Sequence, residues 1–100
     1  MRPAAFDAAA VMAVVVTYRP DLELLAQVLD AVCGQVGQVL VYDNASADPR
    51  LRTLLQDPRW PNLVAEQGAV NIGVAGAINQ AARRAADAGF SQLLILDQDS

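Results

Sequence analysis

Three stretches of this sequence bring together side chains that could do chemistry. The sharpest is "LLILDQDS", where four apolar residues run straight into Asp97 and Asp99. Two carboxylates one residue apart at a strand end repel each other unless a cation or a donor lies between them. Hard divalent ions such as Mg2+ take one or two carboxylates together with substrate phosphates and water. The second stretch is "VYDNASAD", an apolar run that opens into Asp43, Asn44, Ser46 and Asp48. Asp43 can accept a hydrogen bond from a ligand N–H, for instance on a pyrimidine ring, or it can form an Asx turn with Asn44. Asp48, followed by Pro49, reads as the N-cap of a helix. The third stretch, "EQGAVNIGVAG", sets Gly68, Gly73 and Gly76 ahead of a helical pattern. Such glycines let backbone approach a ligand closely, and a helix N-terminus receives anions. The plainer alternative is that they only make turns. The loop has no lysine and is not a Walker A loop, and no G-x-G-x-x-G follows the first strand.

Other chemistries are excluded by what the chain lacks. All seven basic residues are arginine and there is no histidine, so His-based triads, His zinc sites and an imidazole base are ruled out. The net charge of −4 disfavours a nucleic-acid partner, which needs a basic face. The single Cys33 cannot close an internal disulfide, so a reducing compartment is expected. It sits in a helical apolar pattern with no partner base, which disfavours a nucleophile.

Those side chains need elements to position them. Apolar bursts place strands at Ala13–Tyr18, Gln38–Tyr42, Asn62–Ala65 and Gln92–Leu96. The first, second and fourth are continuous rather than alternating, as in parallel strands covered on both faces. Between them lie helical patterns. Leu22, Leu25, Leu29 and Val32 recur at spacings of three and four, with Asp21 and Glu23 in the first turn and Gly34 or Gly37 to end the helix. Asp48-Pro49 opens a short helix carrying Leu51, Leu54 and Leu55, closed by Pro58 and Pro61. A third helix spans about Val74 to Ala88, with a small-residue face of Ala77, Ile78, Ala81, Ala85 and Ala88, and Gly89 after it. The order β-α-β-α-β-α-β with short connections predicts an α/β three-layer fold: a parallel sheet with right-handed crossovers. Residues 1–11 read as a loose lead-in and 12–100 as one domain. Ala8 to Val16 has the apolarity of a signal h-region, but Asp7 precedes it and Thr17-Tyr18-Arg19-Pro20 stands where a cleavage site would be. No run of about 18 apolar residues is long enough to span a membrane. In such a sheet ligands bind beyond the carboxyl ends of the strands, and the polar residues after all four bursts gather at that end.

Taken in order, "VVVTYRPD", "VYDNASAD", "NIGVAGAINQAAR" and "LLILDQDS" resemble the N-terminal, donor-binding half of family 2 glycosyltransferases of the GT-A fold. "NIGVAGAINQ" with "LDQDS" is most similar to bacterial rhamnosyltransferases, which use dTDP-rhamnose to build surface polysaccharide. The resemblance implies a Rossmann-like half-domain with strand order 3-2-1-4. It implies that Thr17 and Tyr18 line the base pocket and that Asp43 bonds the pyrimidine N3–H. Asn71 and Gly73 would bound the nucleotide, Asp97 would reach the ribose, and Asp99 would bind Mg2+ or Mn2+ on the diphosphate. The partners implied are a dTDP- or UDP-type nucleotide sugar and a saccharide or lipid-linked acceptor, in the cytoplasm at the inner face of the membrane. The family's catalytic base and acceptor residues follow the D-x-D. By resemblance, then, the chain is a donor half truncated after that motif, with no catalytic residue of its own and no transfer activity alone. Its last strand would keep an unpaired apolar edge, so the chain is expected to self-associate as a dimer.

Other classes compete with this reading. A non-catalytic α/β nucleotide-binding or interaction module fits the same elements. An aspartate-nucleophile phosphatase would need Asp at the end of the first strand, where Thr17-Tyr18 stands. A nucleotidyltransferase usually has a glycine- and lysine-rich loop there, which this chain lacks.

Overall fold

A computed structural model describes residues 7–98. Its elements are β1 (Val11–Thr17), α1 (Leu22–Val32), β2 (Gln38–Asp43), α2 (Pro49–Leu55), β3 (Leu63–Gln67), α3 (Gly73–Asp87) and β4 (Gln92–Asp97). A 3-10 turn, Ala8–Ala10, precedes β1 and is capped by the Asp7 carboxylate on the Ala9 N–H. The four strands form one parallel sheet in the order β3-β2-β1-β4, the α/β architecture and strand order expected.

The continuous apolar runs are explained by helices on both sheet faces. Side chains alternate along a strand. Ala13 and Val15 of β1 and Val39 and Val41 of β2 meet α1, α2 and Trp60 on one face. Met12, Val14 and Leu40 meet Ala81 and Ala85 of α3 on the other. β1 begins two residues earlier than the apolar burst suggested, because Val11 and Met12 are themselves buried.

The helix signals divide into those used as read and those replaced. Asp48 caps α2 through the Arg50 N–H, with Pro49 at the first helical position. Side-chain and backbone hydrogen bonds from Arg50 hold the Asp48 carboxyl below its ordinary value. Asp21 serves as the N-cap of α1, accepting from the Glu23 and Leu24 N–H groups, rather than as a first-turn acid. Gly89 takes φ 84° after α3, as a C′ glycine should. α1 ends at Val32 with Cys33 as its C-cap and Gly34 directly after it, but Gly34 lacks the positive φ of Gly89. Gln35 bonds the Ala31 and Val32 carbonyls, and Asn62 donates to those of Cys33 and Val36 beyond them. Gly37 is needed for a different reason: a Cβ there would collide with the Ala9 carbonyl.

The small face of α3 is Ala77, Ala81 and Ala85. Ile78 is half-buried and Ala88 is exposed, so the packed face is shorter than expected. Arg84 on this helix pairs with Glu66 of β3 at 2.6 Å. Among the described residues no helix is long and apolar enough to cross a membrane.

Candidate functional site

From β1 the chain steps outward to β2 and β3, then returns to place β4 on the opposite side of β1. The order thus reverses at β1, and a crevice opens at the carboxyl ends there. Register brings these ends level: Thr17 lies opposite Asp43, and Val16 opposite Asp97. A cleft of about 390 Å3 occupies this switch point. Thr17 and Tyr18 come to it from β1, Asp97 and Gln98 from β4, and Asn71, Gly73 and Val74 from the loop into α3. Five of the residues singled out in the sequence, Thr17, Tyr18, Asn71, Gly73 and Asp97, thus share one cleft. Asp99 lies outside the described residues.

Asp43 sits beneath the cleft, not on its wall. It is 2% exposed, and a buried carboxylate needs donors. The Thr17 hydroxyl donates to Oδ1 at 2.6 Å, the Ser46 hydroxyl donates to the same oxygen at 2.6 Å, and the Ser46 N–H donates to Oδ2 at 2.9 Å. Asp43 therefore organises its own loop. It also borders an adjoining hollow of about 520 Å3 with Asp48, Arg52 and Gln67. Ser46 Oγ in turn accepts from the Arg19 N–H at 2.7 Å, tying the loop after β1 to the loop after β2. Arg19, Ala45 and Ala47 have φ of 47°, 62° and 56°. Left-handed backbone at non-glycine residues persists where the surroundings over-determine it. Here the surroundings are the Asp43–Ser46–Arg19 bonds.

Three positioning residues carried no more than a turn assignment in the sequence: Asn44, Ser46 and Gln98. Asn44 is buried; its Oδ1 accepts from the Ile72 N–H and its Nδ2 donates to the Gly73 carbonyl. It pins the start of α3 to the end of β2. Asn71 Oδ1 accepts from the Gly73 N–H at 2.8 Å, and Gly73 takes φ 76°, which a side chain would strain. Gln98 accepts from the Tyr18 N–H at 2.8 Å and donates to the Tyr18 carbonyl at 3.4 Å. Turn propensity was visible at Asn44 and Ser46. Partners 27 to 80 residues away are set by topology, which no local rule reveals. Gly68 follows β3 and Gly76 lies within α3, and both permit a close approach. A Cβ at Gly68 would meet the Tyr42 hydroxyl at 2.9 Å, and one at Gly76 would meet the Ile72 side chain at 3.1 Å. These close approaches are within the protein.

Chemically, the cleft offers an exposed aromatic ring at Tyr18 with the Arg19 guanidinium 5.1 Å from its centroid. It offers amide groups at Asn71 and one carboxylate at Asp97. Among the described residues no three His, Cys, Asp or Glu side chains converge to hold a metal. The carboxylate of Asp97 is a hard oxygen donor, which suits Mg2+ or Mn2+ only if most ligands come from elsewhere. Fold and cleft together define an open parallel-sheet α/β domain with a crevice at its switch point. Compared with known proteins, the chain matches no family model, no curated sequence and no solved structure.

Proposed function

We propose that the cleft binds the nucleotide of a nucleotide-diphosphate sugar, and that the domain is the donor-binding part of a glycosyltransferase similar to family 2. The observation that carries this reading is the meeting of Thr17, Tyr18, Asn71, Gly73 and Asp97 in one crevice at the switch point. In this reading Tyr18 flanks a pyrimidine base of the dTDP or UDP type. Asp43 offers the base N3–H what acceptor capacity its loop bonds leave. Asp97 accepts from the ribose hydroxyls, and the α3 N-terminus at Gly73 lies toward the diphosphate. Mg2+ or Mn2+, held by Asp99 and the diphosphate oxygens, would neutralise the charge that develops on the leaving group.

No general base is assigned. Glu66 is paired with Arg84, and Asp87 lies on the exposed surface of α3. Sugar transfer to a saccharide or lipid-linked acceptor, rhamnose transfer for surface polysaccharide included, therefore needs groups beyond the described residues. Its place would be the cytoplasm, at the inner face of the membrane. A non-catalytic nucleotide-binding module is the second reading, favoured by the same missing base.

Calorimetry with dTDP, UDP and dTDP-rhamnose, with and without Mg2+ or Mn2+, tests the proposal. We expect metal-dependent binding, weakened at least tenfold (~1.4 kcal/mol) in Asp97→Ala and in Tyr18→Ala. A preference for the sugar-bearing donor over the bare nucleotide supports the transferase; equal affinities support the module. No binding, or affinities unchanged in both variants, overturns both.

A further inference from the structure

We infer that Arg52 of α2 and Gln67 of β3 decide which base the nucleotide carries: beside Asp43 they form an edge that accepts uracil or thymine and rejects cytosine and guanine. This inference rests on the nucleotide reading above and adds two specificity-determining residues to it.

The strand register assembles that edge. Thr17, Asp43 and Gln67 lie opposite one another at the ends of β1, β2 and β3. Side chains alternate along a strand. Asp43 therefore continues the row of Val39 and Val41, and Gln67 the row of Leu63, on the sheet face that α1 and α2 cover. Arg52 comes to the same place from α2, and its Nε donates to Gln67 Oε1 at 3.3 Å. Asp43, Arg52 and Gln67 line one hollow of about 520 Å3, bounded by Asp48 and Gly68. Thr17 lines the first cleft instead, so the Thr17–Asp43 bond stands between the two spaces. In this arrangement the ribose and phosphates keep the first cleft, and the edge of the base crosses that bond into the hollow.

The hydrogen-bond inventory fixes what the edge can recognise. A carboxylate has about four acceptor sites. The Thr17 and Ser46 hydroxyls fill both sites on Asp43 Oδ1, and the Ser46 N–H takes one on Oδ2. A single site is left, on Oδ2. Gln67 Oε1 is occupied by Arg52, which leaves the Gln67 amide N–H groups as donors. The Arg52 guanidinium keeps its terminal N–H groups, and among the described residues no carboxylate pairs with it. Asp48, in the same hollow, is held by Arg50. The edge thus presents one acceptor beside donors.

The imide of uracil or thymine is its complement, with a single N3–H between two carbonyls. Cytosine would set a ring-nitrogen lone pair against Asp43 and an amino group against the donors. Guanine would match with O6 and N1–H but bring a second donor, its 2-amino group, for which Asp43 has no site. A site built to hydrogen-bond one pattern rejects a ligand that leaves its buried polar groups unpaired.

Calorimetry with UDP, dTDP, CDP and GDP, each with Mg2+, reads the preference. In the parent, UDP and dTDP should bind at least about tenfold more tightly than CDP and GDP, and UDP methylated at N3 should fall to the level of CDP. Arg52→Ala and Gln67→Leu should each weaken UDP and dTDP about tenfold, the effect of one lost polar contact, and leave CDP where it was. Both side chains are exposed, and melting curves confirm that the variants fold. A parent that binds all four nucleotides alike, or a preference kept in both variants, overturns the inference and leaves the nucleotide reading standing. Equal losses for all four nucleotides in Arg52→Ala would put the guanidinium on the phosphates and likewise overturn its role at the base. Binding of none of them overturns the nucleotide reading and this inference with it.

Discussion

The Thr17 hydroxyl donates to Asp43 Oδ1 across 2.6 Å, joining the ends of β1 and β2 beneath the cleft. Both residues are buried. Thr17→Val keeps the side-chain shape and deletes the donor, so Asp43 retains only the two bonds from Ser46. Loss of a bond to a buried charged group costs about 1–3 kcal/mol, or roughly 4–8 °C in Tm per kcal/mol for a small domain. Asp43→Asn should cost as much or more, because an amide nitrogen then competes for space among three donors. The losses should not add in the double variant, since both break one network. Thermal melts of the four proteins check this. A Thr17→Val variant that melts with the parent would falsify the network. The sequence left Asp43 open between a ligand N–H and an Asx turn; its burial makes stability the first property to change.

Cys33 gives a pH dependence. Burial, and secondarily the Asp30 carboxylate, push its thiol from 9.0 up to about 11. The neutral thiol is thus favoured in the folded state. Its contribution to stability is fully present below about pH 9 and is lost as pH rises toward 11. Cys33→Ala removes that titration. Between pH 8 and pH 10.5 the parent should therefore lose more Tm than the variant. At pH 8 the native thiol should react with a disulfide reagent only as fast as the domain opens. Equal pH slopes in parent and variant, or immediate labelling of the folded chain, would contradict the assignment.

Much of this architecture is legible in the sequence because its signals are local. Apolar runs such as Val39 to Val41 need cover on both faces, and Asp48-Pro49 starts a helix wherever it stands. The turn after α1 was legible at Gly34, but not its anchoring by Asn62, which comes from a distant loop to bond the Cys33 and Val36 carbonyls. The site divides in the same way. Thr17, Tyr18 and Asp97 could be placed because strand ends in a parallel sheet lie at one edge. The burial of Asp43 could not, because it depends on Thr17 and Ser46 closing over it. Gln98 was passed over for the acids on either side of it.

Gln98 is the most specific of these missed residues. Its amide completes one more rung of the β1–β4 ladder, accepting from the Tyr18 N–H and donating to the Tyr18 carbonyl just beyond Val16 and Asp97. A primary amide does both with separate atoms. Because the rung lies at the surface, removing it should lower global stability by less than about 1 kcal/mol. Locally the loss is complete: Tyr18 keeps no bond to β4 through this side chain, and its ring loses its fixed place at the cleft. In Gln98→Leu the Tyr18 amide should exchange about tenfold faster than in the parent, the change expected for ~1.4 kcal/mol of local opening, with Tm nearly unchanged. Gln98→Glu keeps an acceptor for the Tyr18 N–H but sets a carboxylate against the Tyr18 carbonyl, so its protection should fall between the two. Nucleotide affinity should follow the same order: parent, then Glu, then Leu. If the Tyr18 amide exchanges equally in all three proteins, Gln98 does not hold β1 to β4. If exchange changes and affinity does not, Tyr18 has no part in the cleft's ligand.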